Sequence, residues 1–205
     1  VAQGVLRPLC PPSDRVSCVN VVARTHDQAA ELAACITGVP RIHSCALGEI
    51  RQPEIDEHEL WILLLVKYSE EAIRNFYKAV AARRSASALV VYFRLRTLCI
   101  SSLFNPQLGT PCHFCRVGWE LRAREMQQSQ ARTISALMRI FEAEGQVEIP
   151  EPPLHKLDRS VANAFIAQHI QALASASERK FRQDELVDCL ELDLTNFRVS
   201  RHVSV

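Results

Sequence analysis

The chain has 205 residues, 48% hydrophobic and 23% charged, which is enough for one sizeable core or two small ones and ordinary for a globular protein. Lys and Arg number 24 against 23 Asp and Glu, a net charge of +1, which lacks the basic excess of a general nucleic-acid or membrane-surface binder. The longest apolar run, LWILLLV at 60–66, has strand length rather than bilayer length, and residues 1–10 carry Arg7 and Pro8 where a secretory signal needs an apolar core, so a cytoplasmic protein bound to neither nucleic acid nor membrane is expected.

In chain order, RVSCVNVVA (15–23) reads as a buried strand and HDQAAELAACI (26–36) as a helix with Asp27 near its start. Gly38 is expected as the residue just past that helix, and Pro40 blocks its continuation. RIHSCALGEI (41–50) is a weaker strand pattern. ELWILLLVKY (59–68) is the strongest, its near-continuous apolar run predicting burial on both faces as in a parallel sheet covered by helices. SEEAIRNFYKAVAARR (69–84) follows as a helix, with Ser69 as its cap, acids in its first turn and Arg83–Arg84 suiting its negative end. ALVVYFRL (88–95) and LCISSLF (98–104) complete a short meander. The stretch 59–95 reads as a β-α-β unit with a right-handed crossover.

From 112 to 144 there is no proline, and Ile134, Leu137, Met138, Ile140 and Phe141 recur at helical spacing, so a long helix is expected there. EIPEPPLHKL (148–157) reads as a proline-rich linker or surface loop, and SVANAFIAQHIQALAS (160–175) as an amphipathic helix. DELVDCLELDL (184–194) and NFRVSRHVSV (196–205) read as a C-terminal hairpin around LTN. The fold class is α/β, a Rossmann-type sheet flanked by helices, in one domain over 1–205. The chain opens without Met and stops in a strand-like pattern, as a fragment would.

The six glycines form neither G-x-G-x-x-G nor G-x-x-x-x-G-K-[ST], and the first strand runs into ARTHDQ, which has no small residue to let backbone N–H groups approach a pyrophosphate. No G-x-S-x-G is present. EIDEHE (54–59) is expected to be a solvated turn rather than a metal cluster.

The eight cysteines are Cys10, Cys18, Cys35, Cys45, Cys99, Cys112, Cys115 and Cys189. With no secretory signal a disulfide framework is not expected, and Cys18, Cys35 and Cys99 lie in apolar patterns as small buried hydrophobes. Cys112 and Cys115 form a C-x-x-C after LGTP, where Gly109 is permissive and Pro111 fixes φ ahead of the first thiol. A tight turn can aim both thiolates at one zinc ion, and a following helix start favours the thiolate form. A redox pair and two incidental cysteines are the other readings; GTPCHFC matches a thioredoxin-like opening poorly. A zinc site needs further ligands, for which Cys189 is a candidate and His113 and His202 are secondary ones; a cysteine pair beyond Val205 would complete the set better.

FNPQLGTPCHFC (104–115), followed by WELRARE, resembles the B subunit of microcin-type azole synthetases, the McbB family. LWILLLVKYSEEAIRNFYKAV (60–80) is similar to the strand and helix ahead of that motif in the family, and ISALMRIFEAEGQVEIPEP (134–152) to the helix and proline-rich turn after it. The resemblance covers most of 15–205; LGTPCHFC is its distinctive part.

The resemblance implies a ubiquitin-activating-enzyme-like domain, preceded before residue 1 by a winged-helix domain that binds a precursor peptide's leader. It implies assembly with a YcaO-type cyclodehydratase, which uses ATP and magnesium, and with an FMN-dependent dehydrogenase. Together these install thiazoles and oxazoles in a ribosomally made peptide, and the B subunit presents the substrate without catalysing a step. A homodimer within the complex is also expected. Zinc is implied as structural, with Cys112 and Cys115 as its first two ligands and a second cysteine pair after Val205. No catalytic residue is assigned. The competing readings are an adenylating enzyme of the ubiquitin-activating type and a zinc-clamped interaction module without a modifying partner.

Overall fold

The computed structural model describes residues 16–50, 59–83, 86–106, 109–115, 118, 154–175 and 188–203. Seven strands form one mixed sheet in the order β2-β1-β3-β4-β5-β6-β7. β1 (Cys18–Ala23), β2 (Arg41–Ala46), β3 (Glu59–Leu65) and β4 (Ala86–Arg94) are parallel neighbours. β5 (Thr97–Ile100), β6 (Asp188–Asp193) and β7 (Arg198–Val203) extend the sheet in antiparallel fashion from β4. The helices are α1 (His26–Ala33), α2 (Glu70–Ala81) and α3 (Lys156–Ser175).

β3 lies inside the parallel half, and each residue from Leu60 to Leu65 is at most 4% exposed. That is the burial on both faces predicted by its unbroken apolar run. Val19, Val21 and Ala23 of β1 pack on one face with Ala29 and Leu32 of α1 and Ile166 and Ile170 of α3. Val22 points the other way, into a core with Trp61, Leu63 and the Ile73 and Phe76 side chains of α2. Phe76 is fully buried, so Phe76→Ala costs about 3–5 kcal/mol. Ser69 caps α2 as expected, its Oγ accepting the Ala72 N–H at 3.2 Å. β3-α2-β4 is the expected parallel unit.

Three local expectations fail for local reasons. α1 ends at Ala33, with Ala34 as its C-cap, so Gly38 (φ 76°) turns the chain toward β2 instead of closing the helix. Cys35 therefore falls past the helix and is exposed, whereas Cys18 and Cys99 are buried. Arg83 serves the end of α2 through its backbone N–H, which donates to the Val80 carbonyl at 2.9 Å, while its charged side chain turns to β3: Nη1 donates to Glu59 Oε2 at 3.2 Å and the guanidinium lies 4.1 Å from the centroid of the Trp61 ring. Arg84, Cys10, EIDEHE apart from Glu59, and all but the beginning of the predicted long helix lie outside the described residues.

The C-terminal hairpin forms around Leu194, Thr195 and Asn196 as predicted. Asp193 Oδ1 accepts the Thr195 N–H and its Oδ2 accepts the Asn196 side-chain amide, both at 2.8 Å. β6 continues the meander by pairing with β5, and α3 is tied to the same end of the sheet. There Arg96 Nη2 donates to both carboxylate oxygens of Asp158, at 3.0 and 3.1 Å.

The chain passes from β1 outward to β2, then returns to the other side of β1 for β3. This reversal opens a crevice beyond the carboxyl ends of β1 and β3, where open α/β sheets hold ligands.

Candidate metal centre

After β5 the chain folds back along β4. Ser101 N–H donates to the Val90 carbonyl and Ser101 Oγ accepts the Val90 N–H, at 2.8 and 2.9 Å. Phe104 and Ala88 exchange two backbone hydrogen bonds of 2.8 Å. Thr110 Oγ accepts the Asn105 N–H and donates to the Leu103 carbonyl, both at 2.7 Å. Gly109, at φ 65°, supplies the left-handed turn that its permissive backbone suggested. Ser102 Oγ donates to the Pro111 carbonyl at 3.3 Å and fixes the residue ahead of Cys112.

A helical turn over 113–115 then brings the thiols together: Cys112 Sγ and Cys115 Sγ are 3.4 Å apart. Both are free thiols, Cys115 exposed and Cys112 partly buried. Two sulfurs on a tetrahedral zinc ion at about 2.3 Å each stand about 3.8 Å apart, so this pair needs to open only slightly to hold one edge of such a site. The donor chemistry and spacing fit half a structural zinc centre. The expected bias toward thiolate is not seen at Cys115, because its hydrogen bond with Cys112 raises that thiol above its ordinary pKa.

The first of the two residues between them is no ornament of the turn. His113 is 2% exposed; its N–H donates to Tyr77 Oη, and its Nε2 shares a hydrogen bond with Tyr68 Oη, both at 3.1 Å. Its ring meets those of Tyr68, Tyr92 and Phe114 edge-on or tilted, with centroids 5.3–5.8 Å apart. Arg74 of α2 lies 4.5 Å above the Phe114 ring. Burial drives the Tyr77 phenol well above its ordinary pKa, so it stays a neutral partner for the His113 backbone. His113 and Phe114 thus fasten the C-x-x-C to the β3–α2 junction, α2 and β4, while Cys112 packs against the core edge and Cys115 is exposed.

Among the described residues, no group of three or more His, Cys, Asp or Glu side chains gathers as metal ligands, so Cys189 and His113 do not join Cys112 and Cys115 in one. Cys189 is fully buried in β6, opposite His202 in the β6–β7 register. The side chain of His202 lies outside those described. The structure therefore unites the two primary candidates and gives His113 an anchoring place. Sequence reading missed the anchor, because Tyr68, Tyr77 and Tyr92 look like ordinary members of apolar runs; three phenols within such runs were the available signal.

The family model described as Microcin B17-processing protein McbB matches residues 37–205. The Escherichia coli protein of that description is 23% identical over 140 residues, covering 68% of this chain and 47% of its own length. The chain thus spans about half the length of that curated relative. The fold is similar to a chain of the E. coli microcin synthetase McbBCD complex, with a TM-score of 0.68 at 17% identity over 100% of this chain and 69% of that one. It is also similar to a heterocyclase solved with substrate and cofactor, with a TM-score of 0.62 at 14% identity over 93% of this chain and 24% of that one.

Proposed function

The chain belongs to the McbB family, and we propose on that premise that it is the scaffold and substrate-presenting part of an azole synthetase. The observation that carries this reading is a family match running through the whole β3–α2–β4 unit and the Cys112–Cys115 turn. The β1–α1 junction supports a role without adenylation: Arg24 and Thr25 stand where a phosphate loop needs glycine.

In this reading a YcaO-type subunit spends ATP, with magnesium, to activate a backbone amide of the precursor. A Cys or Ser side chain of the peptide attacks that carbonyl carbon, the former carbonyl oxygen leaves as phosphate with ADP as the other product, and the side-chain and amide protons are released as the ring C=N bond forms. An FMN-dependent dehydrogenase then takes two electrons and two protons from the azoline to give the thiazole or oxazole. This chain holds the partners and peptide in register, as a homodimer in the cytoplasm. No described helix is long and apolar enough to cross a membrane.

Zinc would act as a structural clamp. Cys112 and Cys115 would supply two thiolates, with the remaining ligands outside the described residues. Fastening this turn to a distant segment shortens a long loop in the unfolded chain and turns metal binding into folding energy.

The reading predicts stable co-purification of the chain with a YcaO-type protein and an FMN-dependent dehydrogenase, and no ATP turnover by the isolated chain. Pyrophosphate exchange by the chain alone, driven by a peptide, would instead support an adenylating enzyme. Failure to associate with either partner would leave the zinc-clamped interaction module.

A further inference from the structure

The crevice between β1 and β3 contains a cavity of about 460 Å³. Arg24 and Gln28 line it from the β1–α1 junction, and Lys67, Tyr68, Ser69 and Glu71 from the β3–α2 junction. Leu47, Leu65 and Val66 add apolar lining. The size suits a few residues of peptide or a small ligand.

We propose that this cavity binds a single carboxylate carried on an extended peptide, an Asp or Glu side chain with its neighbouring backbone. Arg24 is exposed and makes no ion pair among the described residues, so its guanidinium is available for a forked hydrogen bond. The charged lining residues are Arg24, Lys67 and Glu71, of which Arg24 is the cation assigned to the carboxylate. A nucleoside triphosphate brings several negative charges, and would meet Glu71 inside the cavity. Arg24 and Thr25 also stand where a phosphate loop has glycine.

A second feature points to a peptide. The Gln28 side-chain oxygen is buried without a hydrogen-bond partner, an acceptor that a ligand N–H would satisfy. A carboxylate beside a peptide N–H presents both complements at once. The N-termini of α1 and α2, capped by Thr25 and Ser69, border the same cavity and reinforce its preference for negative charge.

The proposal needs no partner chain, so it can fail while the subunit reading stands, and the reverse. The test is a titration of the ¹⁵N-labelled full chain with Ac-Ala-Ala-Asp-Ala-Ala-NH2, followed by amide shifts. Shifts centred on Arg24, Gln28, Lys67 and Glu71 are expected. The Asn peptide, or the Arg24→Gln chain, should bind roughly tenfold more weakly or worse. Arg24 is on the surface, and the rest of the spectrum checks that the variant is folded; Gln28→Ala is the second variant, expected to weaken binding several-fold. Equal binding of the Asp and Asn peptides, or shifts centred elsewhere or absent, would overturn the proposal. Tighter binding of AMP than of the Asp peptide at the same residues would replace it with a nucleotide site.

Discussion

Tyr68, at the exit of β3, reaches across the chain to His113, the first of the two residues between the thiols, with Oη and Nε2 3.1 Å apart. Because His113 is buried, its ring pays for desolvation through this bond, and the orientation of the C-x-x-C turn depends on it. Tyr68→Phe keeps the ring packing and removes the bond. We expect a loss of about 1 kcal/mol and a thermal midpoint lower by roughly 2–4 °C, read by circular dichroism. An unchanged midpoint would mean that the bond does not hold the turn.

The clamp itself is tested by changing Cys112 and Cys115 to Ser together. The expected result is loss of bound zinc, a lower thermal midpoint and a lower yield of assembled complex. If the double variant assembled normally and the complex were chemically dead, the pair would have a role in the reaction instead. Metal content by mass spectrometry and complex yield by gel filtration separate these outcomes.

Asp158 fixes the start of α3 to the β4–β5 turn. It is 5% exposed, accepts two contacts from Arg96 and also accepts the His155 N–H at 3.1 Å. Asp158→Asn discards the charge and leaves Arg96 facing a neutral group. Arg96 keeps 39% of its side chain exposed, so the cost is put at about 2 kcal/mol, below that of a fully buried pair. Urea unfolding monitored by tryptophan fluorescence measures it.

His169 on α3 predicts a pH effect. Burial, helped by the nearby positive charge of Arg201, lowers its pKa to about 4. In the unfolded chain the ring takes up a proton as pH falls through about 6.5, while the folded chain resists until about 4. This contribution to stability is therefore full above pH 6.5 and is lost progressively between about 6.5 and 4. The loss is on the order of 2–3 kcal/mol, and His169→Gln should flatten that part of the stability profile. An equally steep profile in the variant would assign the effect to other groups.

Much of the fold was legible because local signals agreed with burial. The apolar run of β3, the Ser69 cap and the LTN turn each state their structure within a few residues. Gly38 and Cys35 were misplaced because α1 stops early, at a point no breaker residue marks. Arg83 followed helix electrostatics on paper, but an acid and an indole from β3 were close enough to take it. The β5–β6 pairing and the aromatic seat of His113 join residues far apart in sequence, where neither periodicity nor turn chemistry carries information. The thiol pair was legible as a motif, and its attachment to the core was not, since that depends on Tyr68 and Tyr77 reaching His113.

The most direct test of the proposed role is the mass of the precursor peptide after co-expression with the YcaO-type subunit and the FMN-dependent dehydrogenase, with and without this chain. The account predicts loss of one water and two hydrogens per ring formed, only when the chain is present. Equal ring formation in its absence would contradict it.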